Sequence, residues 1–78
     1  MIPVGSTVKR SSYALRSYYE NYLSLGDYTR KNAAKAEYER KRDERATVLE
    51  HLSAGNGYRL LWPGGEGSCL DYMVELAD

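Results

Sequence analysis

The chain has 78 residues, a formal net charge of +0 at pH 7, one cysteine and one histidine. Those counts exclude a disulfide framework and a Cys/His zinc site within one chain, and the lack of any long apolar run excludes a membrane-spanning helix. A single small domain of this kind draws only ~3–5 kcal/mol of net stability from its core, so self-association is the expected further device.

Eight tyrosines stand in a chain without phenylalanine, and five of them fall within "YALRSYYENYLSLGDY", residues 13–28. Charge is unevenly spread: +4 over residues 1–35, −1 over 36–56 and −3 over 57–78. That balance argues against a general nucleic-acid binder, whose affinity comes from neutralising phosphates, and equally against an acidic DNA mimic. The opening "MIPVGSTVKRSS" has no apolar signal-like core, so a cytoplasmic location is expected.

In chain order, residues 2–8 read as a short strand with Ile2, Val4 and Val8 at even spacing, and Pro3 suggests an edge. Ser11 or Ser12 can cap a helix over 12–25. Within it Leu15, Tyr18, Tyr19, Tyr22, Leu23 and Leu25 share one arc about 160° wide at 100° per residue. Tyr18 and Tyr22 are expected in the core with Leu15, and Tyr13, Tyr19 and Tyr28 at the surface. Gly26 ends this helix, and Asp27 or Thr29 can start a second over 28–53, stopped near Gly55. Its apolar positions are Ala34, Tyr38, Val48, Leu49 and Leu52, interrupted by the charged run "ERKRDER", which reads as a solvated face. Residues 58–62 and 69–76 alternate with period 2 around "PGGEG" and predict a hairpin. One face carries Tyr58, Leu60, Trp62, Leu70, Tyr72, Val74 and Leu76; the other carries Leu61, Cys69 and Met73. The expected fold is a single α+β domain: a helical hairpin, one helix short and one long, on an antiparallel sheet of two or three strands.

No enzyme and no cofactor are expected. The one possible Cys–His pair is Cys69 with His51, and His51 reads as a cation near a helix C-terminus. No Gly-rich loop precedes a helix to hold phosphate. Arg30, Lys31 and Asn32 at the second helix start give the outline of a helix-turn-helix, but the helices are expected to be too unequal and the charge too low, so direct nucleic-acid binding is not expected. Cys69 on the outer face, set across from Leu61 and near Met73, suggests a two-fold contact, and so a homodimer with an intermolecular disulfide under oxidising conditions. Tyr13, Arg16, Tyr19, Tyr28 and Arg30 suggest a protein-binding face, since Tyr and Arg dominate binding hot spots.

With "SYYENYLSLGDY" and "SAGNGYRLLWPGGEGSCLDYMVELAD" in view, the chain resembles the small phage-encoded anti-CRISPR proteins that inhibit type I systems, type I-C among them. The resemblance is one of character over the full chain and carries no motif, so no functional residue is transferred. It implies an inhibitor that works in the bacterial host cell. There it would bind a Cascade surveillance complex and block target-DNA binding or nuclease recruitment. A helix-turn-helix-like DNA-binding regulator and a structural or assembly protein with the same dimer are the alternatives.

Overall fold

Residues 1–53 and 55–77 are described by the structure, a computed structural model. They form α+β architecture with two helices and five antiparallel strands: β1 (Thr7–Arg10), α1 (Ser12–Ser24), α2 (Tyr28–Asp43), β2 (Ala46–His51), β3 (Gly57–Trp62), β4 (Gly65–Leu70) and β5 (Val74–Leu76). The strand order is β4-β3-β2-β1-β5. The sheet is therefore larger than the expected two or three strands.

The first helix begins where the sequence signals it. Ser11 accepts a hydrogen bond from the Ala14 amide and donates one to the Tyr72 carbonyl, which satisfies a buried hydroxyl at both ends. Asp27 caps α2 through the Arg30 amide. The second helix, however, covers Tyr28–Asp43 and not 28–53. Its last ten expected positions include a strand, because Ala46 and Val48 alternate with Thr47 and bury their side chains between neighbouring strands. No glycine marks the helix end. The Arg45 guanidinium does this work instead, donating to the carbonyls of Arg42, Asp43 and Glu44.

The first strand is also displaced from the expected 2–8. Gly5, at φ 90°, turns the chain, and the paired residues begin later and run to Arg10. Ile2 folds back instead to pack on the core. The expected hairpin has a different register. Trp62 faces Gly65 across the two-residue turn Pro63–Gly64, so Glu66 and Gly67 belong to a strand and not to a loop. A 3-10 turn at Asp71–Met73 then breaks the alternation. It carries β5 to the opposite edge of the sheet, where Val74 pairs with Arg10. Val74 is buried as expected, whereas Leu70, Tyr72 and Leu76 are exposed.

The core is small: Val8, Ala46, Val48, Tyr58, Leu60 and Val74, flanked by Ile2, Trp62 and Cys69. Backbone approach is close at its rim, where a Cβ on Gly57 would meet the Cys69 carbonyl at 2.9 Å. Because β1 and β2 are direct neighbours, the whole helical hairpin is the connection between them and leaves the sheet at one end. The extents of 43 × 21 × 20 Å and radius of gyration of 13.9 Å reflect this projection; a spherical domain of this length has a radius near ~11.5 Å.

A projecting pair of helices has no third layer to cover it, and this explains the tyrosines. Leu15 and Ala34 are its buried residues, and Tyr18, Tyr22 and Tyr38 are half-buried. Tyr19 packs on Tyr22 and Tyr38 at centroid distances of 6.2 and 5.3 Å. Lys31 lies over Tyr22 and Lys41 over Tyr18, at 5.7 and 5.8 Å. A ring that is half in water gains from carrying a hydroxyl.

Candidate binding groove

Where the helical hairpin leaves the sheet, its base and the sheet form an inside corner. The corner is an open groove of about 760 Å³. Its walls come from α1 (Tyr13, Leu15, Arg16, Tyr19), from the end of α2 and the following turn (Tyr38, Arg42, Asp43, Arg45), and from the sheet (Lys9, Arg10, Glu75). Three tyrosines and five basic side chains thus meet two carboxylates, in a chain whose net charge is zero.

The rings are held by one another. Tyr13 stands edge-on to Tyr72 at 4.9 Å, and Tyr19 is tilted against Tyr38. Three of the cations are paired within the chain: Arg10 with Glu44, Arg16 with Glu20, and Arg42 with Asp43. The hydrogen bond from Arg42 holds the Asp43 carboxyl below its ordinary 3.8, and that from Arg10 likewise lowers Glu44 from 4.5.

Of the expected binding residues, the structure brings Tyr13, Arg16 and Tyr19 into this groove. Tyr28 and Arg30 lie in the first turn of α2, at the far end of the hairpin, and do not line it. Tyr38, Arg42, Arg45 and Lys9 join the site without having been singled out. Reading residues 28–53 as one helix hid the last two, because it placed Arg45 within a helix and not at the entry to a strand beside β1. The pairing of Thr7 with Thr47 and Val8 with Ala46, continued by one residue, sets Lys9 across from Arg45.

The expected outer patch of Leu61, Cys69 and Met73 is not formed. Cys69 pairs with Tyr58, on the core side of the sheet, whereas Leu61 pairs with Glu66 on the other side and Met73 lies in the 3-10 turn. The expected register failed because the hairpin turn is two residues long and not five. Cys69 is a free, half-buried thiol packed against the core. Burial first, and then Asp71, push its pKa above the ordinary 9.0. It should therefore react with Ellman's reagent at neutral pH several-fold more slowly than free cysteine, since less of it is thiolate. A rate equal to that of the free amino acid would refute this placement.

His51 lies in β2 rather than in a helix, and its Nε2 meets the Ile2 carbonyl at 2.7 Å. Tyr58 pairs with His51 on one side and with Cys69 on the other, so a residue separates the imidazole from the thiol. Among the described residues no group of three His, Cys, Asp or Glu side chains is placed to hold a metal ion. No helix among the described residues is long and apolar enough to cross a membrane.

The helix lengths expected to argue against a helix-turn-helix are nearly equal, 13 and 16 residues. Contacts from Tyr22–Lys31 to Tyr18–Lys41 run along the pair, so the helices lie side by side, and Lys31 is drawn over a ring of α1. No known protein family, curated protein or solved structure matches this chain.

Proposed function

We propose that the protein is non-enzymatic and works by stoichiometric binding of a protein partner through the groove at the base of the helical hairpin. The observation that carries this reading is the convergence of Tyr13, Arg16 and Tyr19 with Tyr38, Arg42 and Arg45 on one concave, accessible surface. Aromatic and guanidinium groups supply large contact area and charge-assisted hydrogen bonds at modest entropic cost. The resemblance to anti-CRISPR proteins directs the partner to a type I Cascade complex, with target-DNA binding as the step blocked. A homodimer belongs to the same proposal, though Leu61, Cys69 and Met73 do not share a face on which to build it.

The test is co-elution of the purified protein with a type I-C Cascade complex, followed by a target-DNA mobility shift on the same sample. A stable complex that no longer shifts DNA is the expected result. No complex at any protein concentration would remove Cascade as the partner. Binding of the protein to target DNA alone, falling steeply with salt, would favour the DNA-binding regulator.

Two charge reversals separate the groove from the rest of the hairpin. Arg16→Glu should weaken partner binding about tenfold, while Arg30→Glu should leave it within about twofold, since Arg30 is outside the groove. Equal losses in titration calorimetry would move the interface along the hairpin to include α2's first turn.

A further inference from the structure

Three of the groove's cations already face carboxylates of this chain. Lys9 and Arg45 differ: neither makes an ion pair among the described residues. Arg45 uses Nη1 on the carbonyls of Arg42, Asp43 and Glu44, which holds the guanidinium in place and leaves its other N–H groups without a partner among the described residues. Lys9 stands opposite Arg45 by strand register, with Glu75 on its other flank. Two adjacent cations without an ion-pair contact therefore sit beside Leu15, Tyr19 and Tyr38, in a groove whose five basic side chains outnumber the carboxylates of Asp43 and Glu75.

We infer that this groove takes an acidic peptide segment of the protein partner. Two carboxylates of that segment lie against Lys9 and Arg45, and an apolar side chain between them rests on Leu15, Tyr19 and Tyr38. The inference rests on the groove being the binding face proposed above. Charge complementarity favours such a segment over a nucleic-acid strand, because two unpaired cations neutralise few phosphates and the electrostatic term of nucleic-acid binding is small. Arg and Lys side by side suit carboxylates because the fork binds one oxygen pair and the ammonium a second acceptor.

The experiment is selection of a random 12-residue phage-displayed peptide library on the immobilised 78-residue chain. Recovered peptides are then synthesised with a fluorescein label and measured by anisotropy. The expected result is enrichment of Asp or Glu on both sides of an apolar residue. Binding of such a peptide should weaken about tenfold on Lys9→Glu and by an intermediate factor on Lys9→Gln. Replacing the peptide's carboxylates by amides should have a similar effect, and a labelled 20-residue oligothymidylate should not bind. Circular dichroism of each variant checks that the fold is retained.

Recovery of peptides without acidic residues, indifference of binding to Lys9→Glu, or tighter binding of the oligothymidylate would each overturn the inference. So would light scattering that shows a dimer of the free chain dissociated by Lys9→Glu, since a second copy would then occupy the groove. Tyr19→Ala separates the two levels of the reading. If it abolishes Cascade binding while no acidic peptide is selected, the occupant is wrong and the groove stands. If Cascade binds equally well to Tyr19→Ala, the groove reading itself fails.

Discussion

Alanine at Tyr58 is expected to leave most of the chain unfolded at 25 °C. Tyr58 is at 0% exposure in the middle of the six-residue core, paired with His51 on β2 and Cys69 on β4. Truncating a buried aromatic to alanine costs ~3–5 kcal/mol. A core this small supplies no more than about that amount of net stability. The hydroxyl matters as well as the ring, since it accepts a hydrogen bond from the Ile2 amide at 2.9 Å and donates one to the Asp71 carboxylate. Burial, and then the bond to Asp71, raise the phenol's pKa above its ordinary 10.0, so it remains a donor throughout the physiological range.

Tyr58→Phe isolates that second contribution. It keeps the ring and removes the shared partner of the N-terminal segment and the 3-10 turn. A loss of ~1–2 kcal/mol is expected, the lower part of the range for an orphaned hydrogen-bonding group because Asp71 can turn to water. For a domain of this length that corresponds to about 4–16 °C in Tm. Urea titration followed by circular dichroism measures both variants. A phenylalanine variant as stable as the parent would mean that the hydroxyl's bonds only replace equivalent bonds to water.

This residue also shows how much the sequence could reveal. Strict alternation placed Tyr58, Leu60 and Trp62 on one face, and that is where they lie, because period 2 is fixed by strand geometry whatever the partner. The first helix was equally readable, since Ser11 and the Leu15–Tyr18–Tyr22 spacing are local features. What failed was pairing. Residues 46–51 look helical when attached to the charged run before them, and only the buried places between β1 and β3 make them a strand. Tertiary context there overrides a weak local preference. The same is true of β5, which the 3-10 turn sends to the far edge. The candidate site inherits both outcomes. Its α1 residues were legible from the helix, whereas Lys9, Arg42 and Arg45 come together only through strand register and the early end of α2.

Arg10→Ala is expected to have the second largest effect on stability, ~2–4 kcal/mol, a little under the cost of breaking a fully buried pair, because one side chain joins the two halves of the molecule. Its guanidinium carbon lies 4.0 Å from the centre of the Trp62 ring. Its Nη1 donates to Glu44 Oε1 at 2.8 Å and to the Lys41 carbonyl at 3.0 Å. The side chains of Arg10 and Glu44 are only 16% and 21% exposed, so removing one strands the other in a partly dry setting. Among the described residues Arg10 supplies the side-chain hydrogen bonds between the sheet and the end of α2, so the loss falls on the docking of the helical hairpin. Arg10→Lys should recover less than half of it, as a point charge cannot stack flat on the indole while bonding two oxygens.

The pH dependence follows from Glu44, whose carboxyl is held below its ordinary 4.5 chiefly by the hydrogen bond from Arg10. A depressed folded pKa means that the unfolded chain takes up the proton first. The pair's stabilisation is therefore complete well above 4.5 and is lost as pH falls through the lower folded value. The stability difference between the parent and Glu44→Gln should accordingly be constant near neutrality and close on acidification. Measuring urea midpoints of both proteins from pH 7 downward tests this directly. A difference that persisted unchanged to strongly acidic pH would assign Glu44 a packing role, and the clasp would then rest on Arg10, Trp62 and the Lys41 carbonyl alone.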